Sequence, residues 1–405
     1  MQKENVKFGI CANWQQFSLL LLVNAFVGGM IGLERSIFPR FAELEFDIAS
    51  KTAILSFIVA FGTAKAITNY FAGKFANKIG RKNLLVIGWI FAVPVPFLLI
   101  YAPSWNWIVF ANVLLGINQG LAWSSTVVMK IDLVGDKNRG LAMGLNEFTG
   151  YLAVGISAFF SAYIANKYGV NPYPFYMGIA LSLLGLFLSY FFVKDTRTFM
   201  QQDNSISFKK ELSNVFIATT FTDKTLSSVT QAGLVNNLND GMIWGLLPIV
   251  LMHQYDVVTI GLIAAIYPAV WGIGQLFTGK MADSFSKKKM LFWGMLLQGI
   301  AILFIPYSES FYGFVLITVS LGLGTALVYP TFLTAIAQKV SANQRAECIG
   351  IFRLWRDLGY AFGAIVSGII ADIFGITYAI FVIGLLTIVS AIIIQLRMPK
   401  SPIED

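Results

Sequence analysis

The chain has 405 residues, 57% hydrophobic and only 12% charged, with a mean hydropathy of +0.70 and a formal net charge of +8. A water-soluble chain carries about 25% charged residues, so a soluble enzyme or binding domain is excluded and an integral membrane protein is indicated. The basic excess does not point to nucleic acid: it gathers in short loops between apolar runs, and no basic face interleaved with aromatics appears.

Apolar runs long enough to cross a hydrocarbon layer about 30 Å thick recur along the whole length. They predict twelve spans, at residues 14–39, 52–73, 83–103, 105–130, 140–165, 173–193, 226–252, 257–279, 290–307, 311–338, 346–371 and 375–396. The first run lacks an A-x-A type cleavage site and is expected to stay in the membrane as helix one. Trp14, Trp105 and Trp107 fall at span ends, where interfacial anchors belong.

An ionisable side chain at mid-bilayer costs roughly 3 kcal/mol on insertion scales, so each one inside a span is a candidate functional group. Helix one carries Glu34 and Arg35 after Gly28 and Gly32. Neighbouring residues on a helix do not face one partner. Glu34 reads as a coupling acid or an outer gate, and Arg35 as an outward-snorkelling anchor. Helix two holds Lys65, and a glycine-bounded basic loop, Gly73-Lys-Phe-Ala-Asn-Lys-Ile-Gly-Arg-Lys82, follows it. Asp132 lies at the inner end of helix four and Glu147 in helix five.

Residues 194–225 form the only long loop, polar at Gln201–Ser205 and amphipathic around Phe208, Leu212, Val215 and Phe216. A surface-lying helix and a solvated tether both fit this pattern. Helix seven contains Asn236-Asn-Leu-Asn-Asp-Gly241, placing Asp240 about 20 Å from the inner surface. Among Asn236 and Asn237, that acid reads as a site for a proton or a cationic substrate group, or as a structural acid capped by the amides. Helix eleven carries Arg353, Arg356 and Asp357.

The chain repeats itself at an offset of 206 residues. The loop at Gly73 returns as Gly279-Lys-Met-Ala-Asp-Ser-Phe-Ser-Lys-Lys288, and the same offset relates Gly88 to Gly294, Gly116 to Gly322, Trp123 to Tyr329, Arg139 to Arg345 and Gly144 to Gly350. Two copies of one membrane unit usually hold a binding site between them. The division expected is 1–193 for the N-terminal half, 194–225 for a linker and 226–405 for the C-terminal half. Glu147 and Arg353 are 206 apart, so they sit at equal depth with opposite charge, as an inner gate or as the two ends of a zwitterion site.

The two six-helix halves, the central loop and the basic loop after helix two make the chain similar, over essentially its full length, to the major facilitator superfamily. That resemblance implies an all-α fold of twelve transmembrane helices in two pseudo-symmetric six-helix bundles, with helices one and seven lining a central cavity. It implies contact between helices two and eleven across the boundary, hence a Lys65–Asp357 ion pair, as a functional pair or a static structural one, and leaves Arg356 without an obvious partner and so open to a substrate carboxylate or other anion. It also implies a cytoplasmic latch at Gly73, Asn77, Gly80, Arg81 and Lys82, with Asp132 facing Arg81, and a second at Gly279 and Asp283. Asn77 replaces the family's usual acid. Asn112 replaces the arginine that many proton-coupled members carry, and the Gly-Pro element of drug antiporters is absent around Gly150 and Gly155.

Orientation follows from the loops. Three of the 29 Lys and Arg fall in the loops on one side (Arg40, Lys51 and Lys167), five lie within spans, and the other 21 fall on the side of the termini. The positive-inside rule then places both termini in the cytoplasm and the chain, multi-pass, in the plasma (inner) membrane. No Walker-type loop is present, so the expected energy source is a gradient. The function expected is a secondary-active transporter moving a small polar organic compound (metabolite, siderophore-like chelator or drug) by proton-coupled export and alternating access. Proton-coupled uptake of an organic anion or zwitterion, and a transporter-shaped binding protein, stay open. One histidine, no nucleophile elbow and no metal cluster argue against an enzyme. Cys11 and Cys348, on the basic side, are not expected to form a disulfide. No cofactor beyond a proton gradient, no metal and no nucleic acid are expected; the partners are a small-molecule substrate and the bilayer, and a monomer is compatible with the sequence.

Overall fold

A computed structural model describes residues 7–48, 50–134, 139–199, 212–340 and 342–399. Twelve long helical segments run back and forth: α1 Trp14–Arg35, α2 Lys51–Ile79, α3 Arg81–Ala92 continuing as Pro94–Ile100, α4 Trp105–Val134, α5 Arg139–Tyr168, α6 Tyr173–Phe191, α7 Lys224–Met252, α8 Val257–Ser284, α9 Lys287–Phe304, α10 Phe311–Lys339, α11 Ala342–Phe374 and α12 Ile376–Arg397. Ten are apolar and long enough to cross a membrane on composition alone. The other two, α4 and α7, are equally long but bury polar residues: Asn112, Asn118, Gln119 and Ser124 in one, Asn236, Asn237, Asn239 and Asp240 in the other. Polar groups of this kind are stable in a bilayer only on the inward faces of a bundle.

Several boundaries differ from the expected ones. Helix one ends at Arg35 rather than 39, because Pro39 starts a separate short helix, Phe38–Phe46, near its first turn. Pro94 and Pro96 interrupt α3 at Val93. Pro330 lies inside α10, where it removes a donor to the Ala326 carbonyl; Thr278 Oγ from α8 supplies one instead, at 2.6 Å. Of the expected amphipathic stretch, Phe208 falls outside the described residues; beyond it, Val215–Ile217 forms one turn and Ala218–Thr222 a π-turn leading into α7.

The duplication reappears as duplicated packing. A side chain added at Gly88 would meet Leu121 and Ala122, and at Gly294 it would meet Leu327 and Val328, each 206 residues on. Gly116 lies against Phe61 and Ala64 as Gly322 lies against Tyr267 and Val270. Between the bundles, α2 packs along α11 and α5 along α8. Toward the end away from the termini, one apolar cluster runs through both bundles, including Leu55, Phe57 and Phe61 from one and Leu238, Trp244 and Leu247 from the other. Ser50 Oγ donates across this end to Asp372 at 3.0 Å. Toward the basic end the C-terminal bundle has its own apolar cluster, around Leu226, Phe332, Phe352 and Ile394.

Candidate functional site: an ionic cavity between the bundles

A cavity lies at the middle of the interface. Its N-terminal wall is Lys65 and Asn69 on α2, Gln119, Trp123 and Ser124 on α4, and Glu147 and Tyr151 on α5. Its C-terminal wall is Tyr329 and Leu333 on α10 with Arg353 and Arg356 on α11. The free space is about 10 Å³, close to what one water needs. The bundles are therefore closed around the site, and a larger solute requires them to separate.

The centre of the network is Asp357, fully buried on α11. Arg356 Nε and Nη2 both approach its Oδ1 at 2.7 Å, and Lys65 Nζ from the other bundle lies 3.7 Å away. Asn237 Nδ2 donates to the same oxygen at 3.3 Å, and Asn69 Nδ2 to Oδ2 at 2.5 Å. Asn69 in turn accepts from Ser124 Oγ at 2.5 Å, and Ser124 accepts from Arg353 Nη1 at 2.9 Å. The chain of bonds thus leaves α11 at Asp357, passes through α2 and α4, and returns to α11 at Arg353. The cations also rest on rings: Lys65 Nζ is 4.7 Å from the centre of Tyr360 and the Arg356 guanidinium 5.2 Å from Tyr329.

Glu147 presents one carboxylate oxygen to Trp123 Nε1 at 3.1 Å and to Asn146 Nδ2 at 2.7 Å. Its second oxygen is buried on the cavity wall without a hydrogen-bond partner, and so is Nε of Arg353. On the opposite seam Tyr151 stacks on Trp271 at 3.5 Å between ring centres, and its hydroxyl donates to Tyr329 at 3.4 Å. The wall therefore offers three cations, one carboxylate and a rank of rings, with Asp357 already engaged by Arg356 and Lys65.

Several expectations need correction. Arg356 is not left over, because it clamps its neighbour Asp357. Glu147 and Arg353 lie in one cavity but form no ion pair within 4 Å; each is held instead by α4, through Trp123 and Ser124. Asp240 does not line the cavity: it is fully buried and accepts the Tyr267 hydroxyl, which also contacts Thr325. It lies three positions after Asn237, so the two are about 60° apart around α7, and Asp240 turns toward α8 and α10 while Asn237 meets Asp357. Asn236 binds Gln298 of α9 within the C-terminal bundle, at 3.0 Å. Neither amide caps Asp240. Glu34 is buried but away from the cavity, in the α1–α5 contact where Ser157 donates to Gly29 and Ser161 to Leu33.

At the basic end Arg81 Nε lies 2.8 Å from Asp132, within one bundle. Thr196 joins Asp132 at 2.7 Å, and Asp195 accepts the Lys82 amide at 3.2 Å, so the start of the linker is fastened to this cluster. Gly80 has φ +94°, a conformation open to glycine, while Gly73 faces open space. Gly279 is buried in α8; the side chains of Asn77 and Asp283, like that of Arg35, lie outside those described. Asn69, Gln119 and Ser124 escape a search for charges. Asn69 had one signal, its position one turn after Lys65 on the same helix face.

Two bundles joined around a buried ionic cavity define a membrane-transporter architecture. A profile of the Major Facilitator Superfamily matches residues 17–222 and 230–405, and the chain belongs to that superfamily. It is 26% identical over 374 residues to the proton-coupled antiporter flippase LtaA of Staphylococcus epidermidis, covering 89% of this chain and 88% of that protein. It is 24% identical over 389 residues to Multidrug resistance protein 2 of Bacillus subtilis, covering 92% of each. In fold it resembles the crystal structure of the human organic anion transporter MFSD10 (TETRAN), with a TM-score of 0.73 and 14% identity over 95% of this chain and 99% of that one.

Proposed function

We propose that the protein is a proton-coupled secondary antiporter of the plasma membrane that exports a small organic solute carrying an anionic group. The reading rests on one observation: Lys65, Glu147, Arg353 and Arg356, none more than 9% exposed, converge from both bundles on one cavity, with Asp357 buried behind Lys65 and Arg356. So dense a set of charges inside a membrane is costly unless it handles charge. With Arg356 and Lys65 engaged by Asp357, Arg353 is the group available to a carboxylate, phosphate or sulfonate, and the rings of Trp123, Tyr151 and Tyr329 form flat walls for its organic part.

Glu147 is the proton acceptor in this reading. It lies on the cavity wall with one oxygen uncommitted, whereas Asp240 is tied to Tyr267 inside the C-terminal bundle. The names of the staphylococcal and Bacillus relatives support antiport and export, and the basic loops support cytoplasmic termini. Opening would then alternate between the cytoplasmic, basic end and the far end that the shared apolar cluster now seals.

Proteoliposomes with a trapped pH dye and an imposed pH gradient test this. A panel of organic anions is expected to include members that collapse the gradient with the wild type and do not with Glu147→Gln. Collapse by organic cations alone, or equal rates in the variant, would contradict it.

A further inference from the structure

The N-terminal bundle buries a lysine that the cavity does not use. Lys130 on α4 is 1% exposed, and its Nζ donates to the Leu20 carbonyl of α1 at 3.1 Å. Among the described residues no carboxylate lies within ion-pair distance of it. It stands one turn from Thr126, whose hydroxyl donates to Asn24 Oδ1 at 3.0 Å; Asn24 donates to the Asn146 carbonyl at 2.8 Å, and Asn146 donates to Glu147 at 2.7 Å. Leu20 and Asn24 are likewise one turn apart on α1. A row of polar side chains on α1, α4 and α5, bonded from Thr126 through Asn24 and Asn146 to the cavity carboxyl, thus ends one helical turn from the buried ammonium.

The other bundle shows that the fold does not need this file. At the offset of 206, Leu20, Thr126, Lys130 and Asn146 become Leu226, Phe332, Ile336 and Phe352. All four sit in one apolar cluster, and the two phenylalanine rings meet at 5.5 Å. Apart from Asn24, whose mate Thr230 donates to the Thr219 carbonyl, the same architectural position is a hydrocarbon core in one half and a polar file with a lysine in the other. A buried ammonium on a single carbonyl is a large cost for a role that isoleucine fills elsewhere in the same chain.

The groups facing Lys130 are few. From α1 come neutral Leu20 and Asn24, while Lys65 of α2 is paired with Asp357 and Arg81 of α3 with Asp132. From α5 comes Glu147, which itself shares the cavity wall with Lys65, Arg353 and Arg356.

We infer that Lys130 is a positioning residue for proton binding at Glu147, its ammonium acting through the polar file as the distant counter-charge of the ionised carboxylate. This rests on the reading of Glu147 as the proton acceptor, and an infrared titration separates the two. The carboxyl C=O band that Glu147→Gln removes is followed against pH in purified protein, with the proton as the only ligand. In Lys130→Ile, which installs the residue of the other half, the midpoint is expected to move to higher pH by about one unit, with the melting temperature unchanged or raised. Lys130→Arg, which keeps the charge, is expected to retain the wild-type midpoint. Lys130→Met serves in place of the isoleucine variant should that one not fold. An unmoved midpoint in the uncharged variant overturns the inference and leaves Glu147 as the proton site; no titrating Glu147 band in the wild type overturns both.

Discussion

Two seams hold the bundles together, related by the duplication yet built from different chemistry. On the α2–α11 seam Lys65 meets Asp357; 206 residues away in each direction, the α8–α5 seam has Trp271 against Tyr151. The inner ends differ as well. A side chain at Gly144 of α5 would lie 3.0 Å from the Gln275 carbonyl of α8, whereas its mate Gly350 on α11 has nothing within 4 Å. A stack of rings with close backbone contact gains by staying shut. A buried ion pair can exchange its partner for water or a solute anion once the bundles part, at much smaller cost. One seam is thus chemically suited to be a hinge and the other a gate, within a pair that symmetry alone would make equal.

Loss of the charge at the gate should have the largest effect. Asp357→Asn leaves Lys65 and Arg356 buried without a counter-charge, and is expected to cost about 3–5 kcal/mol in unfolding measurements; a loss below 1 kcal/mol would mean the cations are hydrated. At the hinge, Trp271→Ala removes a fully buried indole and its stack and is expected to cost about 3 kcal/mol, while the dependence of proton movement on solute keeps its shape. Removal of the cap of α8 comes next. Asp256 accepts the amides of Val258 and Thr259 at 2.8 and 3.1 Å, so Asp256→Ala should cost about 1 kcal/mol.

The Thr259 amide and hydroxyl and the Val258 amide hold the Asp256 carboxyl below its ordinary value. Its contribution is therefore complete above the unfolded value, near 3.9, and disappears as pH falls through the lower folded one. A melting curve at pH 3 should show the wild type and Asp256→Ala converging. Lys65→Met should cost least in stability, about 1 kcal/mol or less, because Arg356 still covers Asp357. Its transport rate is nevertheless expected to fall more than tenfold, and a normal rate would remove Lys65 from the gate.

The offset of 206 residues carries a large part of this architecture. It pairs Gly88 with Gly294 and Gly116 with Gly322, and each pair has the same neighbours in the structure. Lys65 and Asp357 can be set side by side once the family resemblance puts helices two and eleven in contact, since two charges at mid-bilayer on touching helices have few alternatives. Asp240 shows where such reasoning stops. A residue on α7 can face the cavity, α8 or α10 within one turn, and only the tilt of packed helices decides among them. The neutral cavity residues, Asn69, Gln119 and Ser124, were invisible for another reason: a bilayer penalises a charge enough to mark it, and a hydroxyl or amide far less. The anchoring of the linker by Asp195 and Thr196 depends on chain path, which periodicity does not encode.

The difference between the seams is open to one direct measurement, electron–electron distances between spin labels in nanodiscs. With Cys11 and Cys348 replaced by serine, one pair sits on exposed Phe75 of α2 and Glu347 of α11, the other on exposed Leu141 of α5 and Lys280 of α8. Across a pH change, and on adding an organic anion that collapses the pH gradient, the α2–α11 distance is expected to redistribute while the α5–α8 distance stays single and narrow. Equal movement of both pairs, or movement at α5–α8 alone, would contradict a charged gate opposite an aromatic hinge.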